Sequence, residues 1–212
     1  ATEGNCTVTL TVTDDDEATG SVTDVVRVRN YPTAAFTYSP DNPVKDKPVT
    51  FNASSSVPNG GTIVSYQWNF GDGNITTVDV PIVTHVYLVK GNYTVILNVT
   101  DSEGLSGSLS KIIKVGVSPV ASFTYSPTTP YVGDAVIFNA SESYDPDGNI
   151  VSYSWDFGDG SSPANETDFI VTHVYISSGT FMVALTVTDN EGLSGTTSTT
   201  ITVLRAPVAS FT

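Results

Sequence analysis

The side chains in this sequence that could do chemistry are few, and most of them occur twice. The only histidines are His85 and His173, which stand 88 residues apart. Triad-type catalysis needs a serine or cysteine that converges with a histidine and an acid. Each histidine here belongs to a repeated segment, and duplication of a whole unit argues against one specialised site. We therefore expect no catalytic residue and interpret each histidine as a hydrogen-bonded corner residue.

A second candidate is the acidic segment Asp145-Pro146-Asp147-Gly148, which has the D-x-D-G beginning of a calcium-binding loop. It lacks the remaining ligands and the terminal glutamate of the complete loop. The corresponding segment earlier in the chain is Val57-Pro58-Asn59-Gly60, so the acids are not repeated. Calcium is possible here, no cofactor is required, and a plain polar turn is the favoured interpretation.

Asparagine gives a third candidate, because the glycosylation acceptor Asn-x-Ser/Thr is frequent. Seven of the 13 asparagines lie in this sequence pattern, whereas the Ser and Thr content would produce about three by chance. The seven acceptors are Asn5, Asn52, Asn74, Asn92, Asn98, Asn139 and Asn165. The excess favours N-linked glycans and therefore an extracellular location. Accidental sequons in threonine-rich strands are the alternative.

The net charge narrows the classes of possible binding partner, and the cysteine content limits the possible cross-links within the chain. Asp and Glu number 22 against eight Lys and Arg, which gives a formal net charge of -14. Because phosphate binding needs a basic surface, we expect neither nucleic acid nor an anionic membrane as a partner. No apolar run approaches the roughly 18 residues of a membrane span. A single cysteine excludes a disulfide framework within the chain.

The elements that position these side chains are strands arranged in repeats. Phe36-Thr37-Tyr38-Ser39-Pro40 recurs 87 residues later, and the strand that contains Trp68 recurs around Trp155. Apolar residues alternate with polar ones in both copies, as in the series Val64, Tyr66, Trp68 and Phe70. Seven or eight such strands in each repeat, with frequent turn residues and a central tryptophan, predict an all-β, immunoglobulin-like sandwich.

Three ordered motifs give the repeats a family resemblance. They are Tyr-x-Trp-Asp/Asn-Phe-Gly-Asp-Gly, then His-x-Tyr, then Gly-x-Tyr/Phe-x-Val-x-Leu-x-Val-Thr-Asp-x-Glu-Gly. The pattern closely resembles the PKD (polycystic kidney disease) domain. The resemblance implies tandem extracellular sandwiches, as in archaeal surface-layer proteins and in accessory modules of secreted proteases and chitinases, without catalysis. Structural roles are expected for Trp68, Asp72, His85, Tyr87, Trp155, Asp159, His173 and Tyr175.

The repeat predicts the domain organisation. We expect PKD repeats at 31–117 and 118–205, the last strands of a preceding repeat at 1–30, and the first strand of a following repeat at 206–212. The natural protein would then be longer. Cys6 aligns with the inward-facing Tyr93 and Phe181, so it is expected to be a small buried hydrophobe. Short, proline-containing links between repeats predict a rod.

The sandwich also indicates where the acidic segment lies. The loops that hold Asp145 and Asp147 share one end of such a fold with the loop of Asp189 and Glu191. These four acids are therefore the candidate metal ligands, and calcium bound there would fix the angle to the preceding repeat.

Two functional classes remain. The main hypothesis is a non-catalytic segment of an extracellular, cell-surface protein of archaeal type, such as a stalk, surface layer or filament. It would act by rigid spacing, self-assembly or adhesion, with other copies of itself or other surface chains as partners. The alternative is an accessory spacer or binding module of a secreted polysaccharide-degrading or proteolytic enzyme. Exposed coplanar aromatic residues would favour that alternative.

The sequon pattern generates a direct test. Protein from its natural source is expected to carry sugar on several of the seven acceptors, including Asn98 and Asn139, because alternation places both on outward strand faces. Peptide mass mapping measures the occupancy of each site. Seven unmodified asparagines would remove the argument from glycans to location.

Overall fold

The computed structural model describes residues 4–162 and 164–207, without the side chain of Asn165. All the regular elements in these residues are strands, and no helix long and apolar enough to cross a membrane is found among them. The first two strands are β1 (Gly4–Thr13) and β2 (Thr19–Val28). The first repeat contains β3 (Thr37–Ser39), β4 (Pro48–Asn52), β5 (Ile63–Asn69), β6 (Ile75–Val78), β7 (Ile82–Val86), β8 (Gly91–Asp101) and β9 (Ser106–Val115). The second contains β10 (Thr124–Ser126), β11 (Ala135–Asn139), β12 (Ile150–Asp156), β13 (Ala164–Glu166), β14 (Ile170–Val174), β15 (Gly179–Asp189) and β16 (Ser194–Val203).

Each repeat builds one three-stranded and one four-stranded sheet. The strand orders are β3-β4-β7 and β6-β5-β8-β9 in the first repeat, and β10-β11-β14 and β13-β12-β15-β16 in the second. The central strands of these sheets pair antiparallel with their neighbours, as expected where one sheet face packs on a core and the other faces water. The predicted all-β fold of tandem immunoglobulin-like sandwiches is confirmed.

Packing divides the chain into two compact units that do not coincide with the repeats. The first unit holds Ala1–Asp41, Pro48–Val86 and Asn92–Ile113. The second holds Asn42–Lys47, Tyr87–Gly91 and Lys114–Thr212. Three short segments of the first repeat thus belong to the second unit.

A buried tryptophan occupies the centre of each sandwich. Trp155 is fully buried, and its ring lies 5.7 Å from that of Phe138 on the opposite sheet and 5.2 Å from that of Phe123. Trp68 is equally buried and lies 5.6 Å from Phe51 and 5.2 Å from Phe36. The predicted burial of both indoles is therefore confirmed. Neither Nε1 atom has a hydrogen-bond partner among the described residues, so apolar and aromatic contact holds these rings.

The predicted alternation of buried and exposed side chains is confirmed on β8 and β15 and is wrong at the start of β5. Val95, Leu97 and Val99 on β8 are buried, and so are Val183, Leu185 and Val187 on β15. Val64, which was expected to share the face of Trp68, is 49% exposed. The pairing of β5 with β8 shifts register between Ile63 and Ser65. A bulge inserts an extra residue and turns the side chains before it to the other face; β12 shifts in the same way between Ile150 and Ser152.

The prediction for Cys6 is wrong. β1 and β2 form a separate two-stranded sheet, and Cys6 is exposed. Val8, Leu10 and Val12 are exposed as well, although they align with the buried Val95, Leu97 and Val99 of β8. The reason is tertiary, since no second sheet within the described residues covers this face. Of the expected strand at 206–212, residues 208–212 lie outside the described residues.

One aspartate organises the turn of each long hairpin. Asp189 Oδ1 accepts hydrogen bonds from the backbone N–H groups of Glu191 at 2.8 Å and Leu193 at 2.9 Å. Asp101 Oδ1 accepts equivalent bonds from residues 103 and 105, and Asp14 Oδ1 from residues 16 and 18. Such bonds satisfy backbone donors that the turn leaves without a strand partner. Asp101 and Asp189 are buried in this role.

Truncation of the central indole tests the importance of this core. Trp155→Ala is expected to lower the free energy of unfolding by about 3–5 kcal/mol, because a large ring is removed from a closed space. Trp155→Phe, which keeps an aromatic ring and removes the unpaired N–H, is the matched control and should cost about 1–2 kcal/mol. Urea denaturation followed by circular dichroism measures both. Equal, small losses would contradict the assignment of Trp155 as the centre of the core.

Candidate functional site

The two histidines each bind an aspartate in the turn that follows the tryptophan strand. His173 Nε2 lies 2.8 Å from Asp159 Oδ2, and His85 Nε2 lies 2.7 Å from Asp72 Oδ2. Each imidazole stacks on a phenylalanine, with ring centroids 4.0 Å apart at Phe157 and 4.1 Å apart at Phe70. Both histidines are hydrogen-bonded as expected, but they lie within β7 and β14 and bind the turn from these strands rather than from a corner.

The Gly-Asp-Gly sequence fits this turn closely against a neighbouring strand. Gly71 and Gly158 have φ values of 82° and 73°, in the left-handed region that favours glycine. A Cβ atom on Gly158 would lie 2.4 Å from the carbonyl oxygen of Met182 on β15. One on Gly71 would lie 2.7 Å from the carbonyl oxygen of Thr94 on β8. The glycine therefore serves both the turn and its close approach to the strand, and the aspartate ties the turn to β7 or β14.

In the second turn, the carboxylate of Asp159 is fully hydrogen-bonded in its ionised form. Asp159 Oδ1 accepts hydrogen bonds from the Ser161 N–H at 3.0 Å and from Ser161 Oγ at 2.6 Å. Partial burial opposes ionisation, but the bonds from Ser161 and His173 outweigh it and lower the pKa of Asp159 to about 2. Burial, with the nearby charge of Asp159, raises the pKa of Tyr175. Tyr175 donates its hydroxyl hydrogen to the Phe157 carbonyl oxygen at 3.2 Å.

In the first turn the corresponding hydrogen bonds lower the pKa of the aspartate by a smaller amount. Burial opposes ionisation of Asp72, while bonds from the Asn74 N–H and from His85 lower its pKa. Each aspartate thus ties its turn to a histidine on the neighbouring strand β7 or β14, and a phenylalanine ring stacks on that histidine. Ser161 Oγ donates a hydrogen bond to Asp159, and the geometry is that of a structural clamp.

The four acids proposed as calcium ligands are engaged by other groups. Asp189 is used by the turn described above, and Asp147 Oδ2 accepts a hydrogen bond from Lys90 Nζ at 3.1 Å within the second unit. Glu191 Oε1 lies 2.7 Å from Lys114 Nζ in the same unit. Asp145 Oδ1 accepts the N–H of Asp147 at 3.2 Å, and burial, with the charges of Asp147 and Asp189, raises the pKa of Asp145.

Calcium binding by these four acids therefore stays a prediction. Within residues 4–162 and 164–207 no group of three or more His, Cys, Asp or Glu side chains is placed to hold a metal ion. Lysine ammonium groups pair with Asp147 and Glu191, while backbone N–H groups donate to Asp145 and Asp189. Lys90 and Lys114 are distant in sequence from these acids, so no local pattern pointed to them.

The acceptor asparagines differ in what their side chains do. Asn52 Oδ1 accepts the Ser54 N–H and Asn139 Oδ1 accepts the Ser141 N–H, each at 2.9 Å, so the third sequon residue is held in an Asx turn. Asn98 Nδ2 instead donates to Gln67 Oε1 at 3.3 Å, and Asn74 Nδ2 donates to Asp72 Oδ2 at 3.1 Å. Asn5 and Asn92 are exposed. The side chain of Asn165 lies outside the described residues. Glycan occupancy stays a prediction.

The sequence matches the PKD domain family over residues 29–117 and again over residues 116–203. The chain belongs to the PKD domain family. The tandem PKD resemblance seen in the motifs is thereby confirmed, and PKD domains are non-catalytic modules.

Three relatives show where similar PKD segments occur. The chain is 46% identical over 72 residues to a microbial collagenase of Vibrio alginolyticus, covering 34% of this chain and 8% of that protein. It is 40% identical over 95 residues to the pre-pro-metalloprotease PrtV of Vibrio cholerae, covering 45% of this chain and 10% of that protein. It is 30% identical over 220 residues to the dyslexia-associated protein KIAA0319 of Homo sapiens, covering 94% of this chain and 20% of that protein.

The chain therefore spans a fifth or less of the length of these relatives. Among solved structures, the fibronectin(III)-like modules of Clostridium thermocellum CbhA match with a TM-score of 0.53 at 16% identity. That match covers 84% of this chain and 98% of the other, and it supports the sandwich fold alone. These relatives are bacterial and human, and the archaeal surface-layer type expected from the sequence is not shown.

The low pKa of Asp159 predicts a pH dependence of stability. A carboxylate whose folded pKa lies below its ordinary value of 3.8 stabilises the fold fully above that value, and the contribution is lost as pH falls toward about 2. Asp159→Asn should therefore lower the free energy of unfolding by about 1–2 kcal/mol at pH 6 and by progressively less between about pH 4 and pH 2.

Chemical denaturation at a series of pH values measures this difference. The exposed Asp168→Asn is the matched control, since it removes the same charge from the same unit. A constant difference between wild type and Asp159→Asn across the acid range would show that ionisation of Asp159 does not stabilise the turn.

Proposed function

We propose that this chain is a non-catalytic accessory module of an extracellular protein, of the kind that accompanies a secreted proteolytic enzyme. The observation that carries the proposal is the family match over both repeats together with the similarity to a collagenase and a metalloprotease. The site geometry supports it, because the conspicuous histidine and aspartate side chains bind each other and the backbone of the turns. The module would hold or space a catalytic domain relative to its substrate.

The chemistry of the surface favours a protein over a polysaccharide as the contacted substrate. Sugar-binding surfaces use flat arrays of exposed aromatic rings. The exposed aromatic residues Tyr31, Tyr131, Tyr144 and Phe169 all lie in segments between strands rather than along one sheet face. The exposed strand positions instead include many threonine and serine side chains, together with apolar ones such as Ile112 and Met182, a mixture that suits contact with a polypeptide.

A structural segment of a cell-surface protein is the second candidate. Two observations favour it: the seven sequons, and the human relative whose similarity extends over 94% of this chain. In that case the repeats act by spacing or adhesion, with N-linked glycans and other copies of the chain as partners. Both candidates place the protein outside the cell.

Co-sedimentation separates the two candidates. The chain is expected to be depleted from solution by insoluble collagen fibres and not by chitin or cellulose particles of equal surface area. Addition of gelatin should release no peptides, because the module is proposed to be non-catalytic. Serum albumin serves as the matched soluble control for non-specific adsorption. Retention on none of the three materials would overturn the substrate-contact role and favour the cell-surface segment.

A further inference from the structure

The long hairpin turn of each repeat carries the same seven-residue segment, Asp-x-Glu-Gly-Leu-Ser-Gly, at 101–107 and at 189–195. Its aspartate is used by the turn, as described above. One of the backbone N–H groups that this aspartate binds belongs to the glutamate of the segment, Glu103 or Glu191. The turn therefore fixes the backbone of the glutamate and leaves its carboxylate available for contacts outside the turn.

Each of these glutamates contacts a basic residue on the strand that precedes its own repeat. Glu191 Oε1 lies 2.7 Å from Lys114 Nζ on β9. Glu103 Oε1 contacts Arg27 Nη2 on β2, and Glu103 Oε2 lies 3.7 Å from Arg29 Nε. Arg27 and Lys114 stand 87 residues apart, which is the period of the repeat. The same ion pair is thus formed twice from equivalent positions, once within each compact unit.

The segment at 189–195 also packs on the link at 115–119, which joins β9 to the second repeat. Gly116 in this link is buried. A Cβ atom on Gly116 would lie 2.6 Å from Leu193 Cδ1 and 3.0 Å from Glu191 Oε2, so a glycine allows this close approach. Leu193 is itself buried. The glutamate and the leucine of the segment therefore cover the backbone of the link.

The last glycine of the segment makes room for the proline that enters each repeat. A Cβ atom on Gly195 would overlap the carbonyl oxygen of Pro119, and a Cβ atom on Gly107 would overlap that of Pro32. Both prolines are buried, and they stand 87 residues apart. The entering chain therefore contacts the segment at two places in each repeat, first at the glutamate and then at this glycine.

The distribution of positive charge indicates that these contacts are specific. The chain has eight Lys and Arg residues and a net charge of -14. Four of the eight lie at these contacts: Arg27, Arg29 and Lys114 pair with the two glutamates, and Lys90 pairs with Asp147 at 3.1 Å. Acidic surfaces of like charge repel each other. Half of the positive charges are therefore placed where acids of the following repeat approach.

We propose that the Asp-x-Glu-Gly-Leu-Ser-Gly segment is an interaction surface for the end of a preceding PKD repeat, and that its glutamate recognises a base there. The partner is the last strand and link of a PKD repeat that carries Arg or Lys at the position of Arg27 or Lys114. Exposed ion pairs add little stability, whereas charge complementarity decides which partners fit. The glutamate therefore selects the partner and closes the contact over the link. The proposal does not depend on the accessory function proposed above.

Hydrogen exchange of the 212-residue chain in EDTA, read by mass spectrometry in the peptide that holds residues 114–119, tests the proposal. The Gly116 N–H donates to the Pro43 carbonyl oxygen at 3.0 Å, and its exchange measures local opening of the link. Glu191→Gln and Lys114→Gln are each expected to speed exchange about two- to five-fold, because the ion pair is lost. The double variant should exchange no faster than either single variant, since both changes remove one interaction.

Two further variants separate recognition from general stability. Lys114→Glu with Glu191→Lys restores opposite charges and should return exchange of the link to within about two-fold of wild type. Glu142→Gln removes an exposed carboxylate from the same unit and, as the matched control, should leave exchange of the link unchanged. At about 1 M salt the difference between wild type and Glu191→Gln should shrink, because salt screens the pair. Exchange of the β15 amides establishes that each variant is folded.

Three outcomes would overturn the proposal: exchange at the wild-type rate in Glu191→Gln, a double variant in which the two single effects multiply, or a charge-exchanged variant that exchanges as fast as the single variants. Should Glu191→Gln fail to fold, Glu103→Gln replaces it with the same expected direction, read in the peptide that holds residues 29–33. Co-sedimentation with collagen is a separate readout, so either proposal can fail while the other stands.

Discussion

The structure depends on burial of one indole between two small sheets. The outer faces of the three-stranded and the four-stranded sheet are exposed to water. Only the two inner faces, which pack on each other, are buried. Trp155 fills the space between them and contacts aromatic rings on the opposite sheet, and Trp68 does the same in the first repeat. The indole N–H has no acceptor among the described residues, so packing rather than hydrogen bonding fixes this position.

The turns next to this core are stabilised by the aspartate and histidine side chains that stand out in the sequence. After the tryptophan strand the chain must reverse next to β8 or β15, and a glycine without Cβ allows the close approach. The following aspartate binds its own turn and a histidine from β7 or β14. A second set of aspartates, Asp101 and Asp189, satisfies the N–H groups of the long hairpin turns. Residues that would suggest catalysis or metal binding in another context therefore stabilise loops here.

The same fold leaves function to the surface. Both repeats keep the core and the histidine clamp, but they differ in their sequons, in the acids at 145 and 147, and in the lysines of their last strands. A scaffold whose turns are stabilised internally can change these surface residues at little cost to stability, since exposed substitutions usually alter it by less than about 0.5 kcal/mol. Partner contact and glycan attachment are properties of those variable faces.

By itself the sequence determined the all-β class, the repeat, the buried tryptophans and the glycine-aspartate turns, because these follow from local alternation and from backbone conformations that few residues allow. Tertiary structure decided the rest. Val64 is exposed because a bulge shifts the strand, and Cys6 is exposed because no second sheet covers β1 and β2 in the described residues. Asp147 and Glu191 meet lysines that are distant in sequence. Local pattern cannot reveal such partners, since burial and charge pairing depend on which segments the fold brings together.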